Sequence, residues 1–101
     1  MEAEKNACLP TAISMKEGLR RQGISSHVVV YSFFDQTKNR LAGHAITSYL
    51  YPPGKNQMWT YDYRGSIRTR AFFDDAYGTA QAAEIARGKS DIKIFTAEFI
   101  E

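Results

Sequence analysis

The stretch GHAITSYLYPPGKNQMWTYDY, residues 43–63, decides the fold predicted for this chain. It contains two runs rich in β-branched and aromatic residues, 43–51 and 57–63, which favour strands. The sequence PPG at 52–54 lies between them, and a three-residue loop of this kind places Gly54 where a left-handed backbone is needed. The stretch therefore predicts an antiparallel hairpin.

The length of that loop sets the predicted register of the hairpin. With a three-residue loop, Tyr51 faces Lys55, and His44 faces Asp62 on the same side of the sheet. Directly opposed residues have Cβ atoms about 5 Å apart, whereas a slip of one residue would place the two side chains on opposite faces. The rest of the shared face is apolar enough to pack against the first helix. That packing would bring Cys8 toward His44.

The N-terminal segment predicts an amphipathic helix. Apolar residues recur at helical spacing between Cys8 and Gln22, and Gly23 is a natural stop. Proline is tolerated in the first turn of a helix and disfavours helical geometry in the residue before it. Because of Pro10, the helix is expected to begin at Cys8, Leu9 or Pro10, with Cys8 at or just before its N-terminus.

The remaining segments predict further strands and a second helix. Further strands are predicted at residues 27–34, 66–73 and 91–100. A second helix is predicted from a cap at Asp74 or Asp75 to about Arg87. The predicted fold class is α+β, an N-terminal helix packed on a mainly antiparallel β-sheet.

Length and composition limit the classes of protein to which the chain can belong. The 101 residues predict a single domain, 1–101, with ordinary globular composition (44% hydrophobic, 24% charged). A net charge of +2 is too weak to predict nucleic-acid binding by itself. No apolar run predicts a membrane span and no signal peptide is visible, so the compartment stays open between cytoplasm and export with a removed signal. One cysteine and two distant histidines predict neither a disulfide nor a zinc site, and no cofactor is implied.

Three residues have the side chains used together in nucleophilic catalysis: Cys8, His44 and Asp62. A thiol attacks carbonyl groups as the thiolate, and a helix N-terminus or a neighbouring imidazolium lowers the pKa of a thiol. Histidine is the usual general base and needs a third group that orients its ring. The sequence therefore predicts Cys8 as nucleophile, His44 as base and Asp62 as the orienting carboxylate.

The same residues carry a resemblance to a known family. They are single positions in a set order: Asn6-Ala7-Cys8, Leu19, Gly23-Ile24, Gly43-His44-Ala45, Trp59, and Asp62 before Gly65. In this order the chain resembles the transglutaminase-like branch of the papain-like cysteine-protease superfamily, over about residues 6–65. The resemblance implies a papain-like, transglutaminase-like minimal core with a Cys8–His44–Asp62 triad.

The chain departs from the family at the position of the oxyanion donor. Papain-like peptidases often carry an upstream Gln that donates to the oxyanion, and no Gln precedes Cys8. An oxyanion hole would need the Cys8 backbone N–H and a second donor. Asn6 is the predicted second donor, with Trp59 or a tyrosine as alternatives.

The predicted function is that of a cysteine peptidase or amidohydrolase that works through a thioester acyl-enzyme. The predicted substrate is a peptide or protein. Two alternatives remain open: a transglutaminase-type acyl transfer to an amine instead of water, and a non-catalytic papain-like binding module. The short chain and the missing Gln favour the binding module.

Two surface features have alternative interpretations. Arg64, Arg68 and Arg70 lie near aromatic residues, but a solvated strand face is the usual explanation, so no nucleic-acid partner is predicted. The opposite face of the hairpin carries five aromatic residues: Tyr49, Tyr51, Trp59, Tyr61 and Tyr63. These are expected to be covered by the second helix or a strand, or else by a second copy in a homo-oligomer.

Overall fold

A computed structural model describes residues 2–36, 38–70, 73–88 and 92–100, with the backbone alone for residues 2–8. Its elements follow the chain in this order: α1 (Glu2–Arg21), β1 (Ser26–Asp35), β2 (Arg40–Leu50), β3 (Met58–Asp62), β4 (Gly65–Thr69), α2 (Ala76–Ala86) and β5 (Lys93–Ile100). The strands form one five-stranded sheet in the order β4-β3-β2-β1-β5, with every neighbouring pair antiparallel. The predicted α+β class is confirmed.

Most element boundaries lie close to their predicted positions. Asp75 caps α2 and accepts a hydrogen bond from the Tyr77 backbone N–H at 3.1 Å, as the capping pattern predicts. The strand predicted at 66–73 ends earlier, at Thr69, and its residues 71–72 lie outside the described part of the chain. Residue 91, the predicted start of the last strand, also lies outside it.

The first helix begins earlier than predicted. It starts at Glu2, so the backbone of Cys8 lies inside α1, and the prediction that Cys8 opens a helix is wrong. Pro10 is accommodated within the helix, although an internal proline costs about 3 kcal/mol relative to alanine. Residues 2–8 are rich in the strong helix formers Ala, Glu and Lys, which favour extension of the helix past the proline.

The two helices cover opposite faces of the sheet. Ala80 and Ala83 of α2 pack against a core that includes Val29 and Ile46. On the other face, Ala12 of α1 packs against Val28 and Ala45, the strand neighbours of those two core residues. Successive residues of a strand point to opposite faces, so each strand divides its side chains between the helices.

The β2–β3 hairpin has a longer loop than predicted. The Tyr51 N–H donates to the Gln57 carbonyl at 3.0 Å, which makes 52–56 the loop, and Thr47 pairs with Tyr61. The predicted register, with His44 directly opposite Asp62, is therefore wrong by two residues. A shift of two keeps each side chain on its face, because the side-chain period of a strand is two.

The sheet is stepped beside His44. The hairpin register places Asp62, the last residue of β3, level with Ile46. Residues 40–45 of β2 therefore extend past the end of β3, while β1 continues to pair with them up to Arg40. His44 lies in this extension, next to the turn that follows Asp62.

Candidate functional site

The centre of the site is a hydrogen-bonded pair of a histidine and an aspartate. His44 Nε2 lies 3.0 Å from Asp62 Oδ2. The His44 side chain is 12% exposed and that of Asp62 is fully buried (0%). The two residues are diagonal neighbours on one face, and this is the distance at which an imidazole N–H donates to a carboxylate.

The turn after β3 holds the Asp62 carboxylate through Arg64. The Arg64 backbone N–H donates to Oδ1 at 2.8 Å, and its guanidinium donates from Nη2 to Oδ2 at 2.5 Å and from Nε to Oδ2 at 3.1 Å. The Arg64 guanidinium also lies 5.4 Å from the centre of the Tyr63 ring. Charge-assisted bonds of this kind are short and fix the plane of the carboxylate.

A second arginine reaches Asp62 from the end of α2. Arg87, the C-cap of that helix, has its Nε 3.5 Å from Asp62 Oδ2. Its Nη2 donates to the carbonyl groups of Gly65 at 3.0 Å and Thr60 at 3.4 Å. Arg87 therefore ties α2 to both strands of the β3–β4 hairpin while its side chain stays 91% buried, since only 9% is exposed.

These contacts keep Asp62 ionised. Burial acts to raise the pKa of the Asp62 carboxyl, but hydrogen bonds from His44 and Arg64 outweigh it and hold that pKa well below its usual range. The pKa of Arg64 is raised in return, because its bonds to Asp62 outweigh its own burial. A charged acceptor beside Nε2 favours the tautomer with its proton on Nε2, which makes Nδ1 the basic nitrogen of the neutral ring.

Two tyrosines contact the His44 ring edge-on. The ring centres of Tyr31 and Tyr63 lie 5.7 Å and 6.1 Å from that of His44, at interplanar angles of 87° and 89°. The Tyr31 hydroxyl donates a short hydrogen bond to the buried carboxylate of Glu84 on α2. Burial, followed by the charge of Glu84, raises the pKa of Tyr31 well above its ordinary value. Tyr31 is therefore a neutral donor and a rigid wall of the site.

Sequence reasoning missed Tyr31, Glu84 and Arg87. It also assigned Arg64 to a solvated strand face and Tyr63 to the face opposite His44, and both are wrong, because Arg64 binds the Asp62 carboxylate and Tyr63 contacts the His44 ring. Glu84 gives the clearest signal, because it is a lone acidic residue among alanines in the run AYGTAQAAEIA. A buried carboxylate needs a partner, so such a position predicts a polar contact within the core. Arg87 and Tyr31 give no such signal, because a basic residue is common at the end of a helix and an aromatic residue is common in a buried strand.

At Cys8, the predicted nucleophile, the structure describes the backbone alone. The backbone of Cys8 lies in α1, whereas the side chains of Cys8 and Asn6, the predicted nucleophile and oxyanion donor, lie outside the described part. Leu9, which follows Cys8, lines a cavity of about 390 Å³ that is also lined by His44. The Thr47 hydroxyl donates to the Ala12 carbonyl at 2.7 Å and fixes α1 over β2.

The covering of the two sheet faces differs from the prediction. The face that carries His44 and Asp62 was expected to pack against the first helix, but α2 covers it, through contacts such as the one from Glu84 to Tyr31. The aromatic face was expected under the second helix or a strand, but Tyr49, Trp59 and Tyr61 pack with α1. Both faces are apolar enough to be covered, and the small side chains Ala80 and Ala83 of α2 fit closely against the Ile46 face.

The second histidine and the basic residues lie away from this site. His27 stacks on Phe99 with 4.2 Å between ring centres, and it contacts Phe73 at 4.4 Å with the rings tilted by 37°. Arg68 and Arg70 are exposed. Within the described ranges, no group of three metal-ligating side chains occurs, and no helix there is long and apolar enough to span a membrane.

No family model, curated protein or solved structure matches the chain. The resemblance to the papain-like superfamily therefore stays a prediction that rests on Cys8, His44 and Asp62.

Proposed function

We propose that the chain is a cysteine hydrolase of amide or ester bonds, in which Cys8 is the nucleophile, His44 the general base and acid, and Asp62 the orienting carboxylate. The observation that carries the proposal is the His44–Asp62 hydrogen bond of 3.0 Å, whose acceptor is kept ionised by hydrogen bonds from His44 and Arg64. A histidine base is effective when a buried carboxylate fixes its tautomer and stabilises its protonated form.

The proposed reaction has two steps. The Cys8 thiolate attacks the carbonyl carbon, a C–S bond forms, the bond to the leaving amine breaks, and protonated His44 gives its proton to that amine. Water then attacks the thioester while His44 takes a proton from it, and the Cys8 thiolate leaves. An amine in place of water would give acyl transfer by the same steps, so both outcomes belong to the proposal.

The finer fold class is part of the proposal. A papain-like, transglutaminase-like minimal core is supported by the chain order of helix, histidine strand and aspartate strand. The substrate proposed for such a core is a peptide or protein. No nucleic-acid partner is proposed, because Arg64 is engaged with Asp62 and a solvated strand face explains the exposed Arg68 and Arg70.

The proposal requires the Cys8 side chain to reach His44 around the step in the sheet. The imidazole points to the face that α2 covers, whereas Cys8 belongs to the helix on the other face. Residues 40–45 of β2 extend past the last residue of β3, so β3 does not pair with the part of β2 that holds His44. The shared cavity of Leu9 and His44 supports an approach of α1 to this part of β2.

Alkylation of the single cysteine tests the proposal. The rate of reaction with iodoacetamide is measured across pH by mass spectrometry, and Cys8 is the only thiol that can react. We expect reactivity to persist well below pH ~8.5, the ordinary titration point of a thiol, because imidazolium stabilises the thiolate. His44→Ala removes this low-pH reactivity.

The second histidine supplies a matched control. His27→Ala removes the other imidazole of the chain and should leave the pH profile as in wild type, because His27 contacts Phe99 and Phe73 and lies away from the His44–Asp62 pair. Wild-type reactivity that appears only near pH ~8.5 would contradict the proposal, and so would an equal loss in both variants.

A second candidate function is a non-catalytic binding module with the same core. Two sets of contacts that could serve stability alone favour it. Tyr31 packs against the His44 ring, and Arg64 and Arg87 form ion pairs with the buried Asp62. In that case the pair stabilises the fold, and the alkylation profile of Cys8 does not depend on His44. A contact between copies through the exposed Tyr51 and Tyr63 stays a prediction.

A further inference from the structure

A groove of about 520 Å³ runs between α1 and β3, on the face of the sheet that α1 covers. Tyr61 of β3 forms one wall, and the segment from Pro10 to Gln22 forms the other. The volume lies within the range of small-molecule sites. None of the lining residues belongs to the proposed triad, so a ligand in this groove would be bound independently of the proposed reaction.

Both helix-breaking residues of α1 line this groove. They are Pro10 and Gly18, and each lowers the stability of a helix interior. The backbone at Gly18 does not require glycine, because its φ angle is not positive. A Cβ atom added there would meet no heavy atom of the described residues within 4 Å, beyond the helix backbone around it. Residues that break a local rule without a structural need are expected at functional sites, so we interpret Gly18 as keeping the groove open.

The groups that line the groove restrict the class of ligand. Among the described lining residues, none carries a charge, and a charged ligand group would lose its hydration there without gaining a partner of opposite charge. Thr11, Ser14 and Gln22 supply two hydroxyls and an amide, which donate and accept hydrogen bonds. The Tyr61 ring supplies an apolar face. The ligand that fits is uncharged and combines hydroxyl groups with a flat apolar face.

The polar groups are spread along the groove rather than gathered at one point. Thr11 and Gln22 are eleven positions apart, which is about 16 Å at the rise of a helix, and Ser14 lies between them. A single stacked base would contact only part of this length, whereas an oligosaccharide carries hydroxyl groups along its whole length. An extended peptide binds best by adding a strand, but β3 lies between β2 and β4, so the groove does not run along a sheet edge.

We propose that this groove binds a neutral oligosaccharide. One sugar ring stacks its C–H face on the Tyr61 ring, and the hydroxyl groups of the ligand bond to the side chains of Thr11, Ser14 and Gln22. The inference adds a carbohydrate-binding site to the chain and does not depend on Cys8 or His44.

Titration followed by NMR tests this site. The isotopically labelled full chain is titrated with cellotriose, maltotriose and diacetylchitobiose, which are neutral oligosaccharides that differ in linkage and substituents. We expect saturable shifts of the backbone amides of Ser14, Gly18 and Tyr61 with at least one of them. Adenosine and the blocked peptide acetyl-trialanine amide represent the competing ligand classes. The proposal is overturned if none of the three oligosaccharides shifts these amides, or if only adenosine or the peptide does.

Gly18→Leu is the diagnostic variant. Leucine favours a helix more than glycine does, so the variant is expected to keep or gain thermal stability while its side chain fills the groove. The saturable shifts should therefore be lost without any loss of fold. Arg20→Leu places the same side chain at an exposed position of α1 (76% exposed) and should bind as wild type does. Unchanged binding by Gly18→Leu, or an equal loss in both variants, would overturn the site.

The stacking contact has its own pair of variants. Tyr61→Leu removes the ring and is expected to raise the dissociation constant about two- to tenfold, the value of an aromatic contact. Tyr61→Phe keeps the ring and should bind more tightly than Tyr61→Leu. Equal affinities of the two variants would contradict a sugar ring stacked on Tyr61.

Discussion

Asp62 is the residue on which the site depends, because three side chains approach its carboxylate. Arg64 lies in the turn that follows Asp62, His44 lies on the neighbouring strand, and Arg87 lies at the end of α2. A buried charge with this many partners is costly to disturb, since each partner loses its counterpart when the carboxylate is removed.

Asp62→Asn is therefore expected to destabilise the fold. The substitution leaves Arg64 and Arg87 near a neutral amide in a buried position, and breaking such a network costs about 3 kcal/mol. Urea unfolding at pH 7 measures the change, and Asp74→Asn is the matched control because that carboxyl is exposed. Equal stability of both variants would show that the arginines find other partners.

The hydrogen bond between Tyr31 and Glu84 is expected to stabilise the fold. Tyr31→Phe leaves the buried Glu84 carboxylate without the hydroxyl donor, which is expected to cost about 1–3 kcal/mol in unfolding free energy. Combining it with Glu84→Gln in a double-mutant cycle isolates the pair. A coupling energy near zero would mean that Glu84 does not depend on Tyr31.

In the described part of the chain, a buried hydroxyl contact and apolar packing hold α1 over β2. Thr47 donates to the Ala12 carbonyl, whereas the Thr60 hydroxyl, also buried, has no hydrogen-bond partner among the described residues. Thr47→Val is expected to cost about 1–2 kcal/mol and to raise hydrogen exchange in α1. Thr60→Val, the same change at an equally buried position, should be neutral or slightly stabilising.

The hairpin and the helices also show how far the sequence predicts this structure. The pairing of His44 with Asp62 on one face was predictable, because a strand has a period of two. The register was not predictable. A five-residue loop and a three-residue loop leave each side chain on the same face of the sheet, and both place Gly54 in the turn. The start of α1 was missed because Pro10 was expected to lie in the first turn.

The molecule as a whole places one helix on each face, and this could not be predicted from local patterns. Both faces of the sheet are apolar. The pattern of apolar residues therefore predicts that each face is covered, but it does not predict which helix covers which face. Arg87 was missed for the same reason, because its partner lies on a strand far away in the chain. Such contacts depend on how the elements assemble, which spacing along the sequence does not show.

The charge network also predicts how the stability of the whole molecule changes with pH. Folding lowers the pKa of Asp62 below its ordinary value of about 3.9. The ionised Asp62 therefore adds fully to the free energy of unfolding above pH ~3.9, and this addition is lost as the pH falls toward the pKa of Asp62 in the folded chain. The difference in unfolding free energy between wild type and Asp62→Asn should therefore shrink below pH ~4. A difference that stays constant to pH ~2 would contradict this assignment.

The ion pair between Arg87 and Asp62 divides the site between two parts of the chain. A fragment that ends at residue 70 contains the His44–Asp62 hairpin but lacks α2 and β5, and so lacks Arg87 and Glu84. The complementary fragment contains those two residues and none of the three residues of the proposed triad. Cleavage between the two parts would therefore leave neither with a complete site, so recovery of the site on mixing would report the docking of α2 onto the sheet.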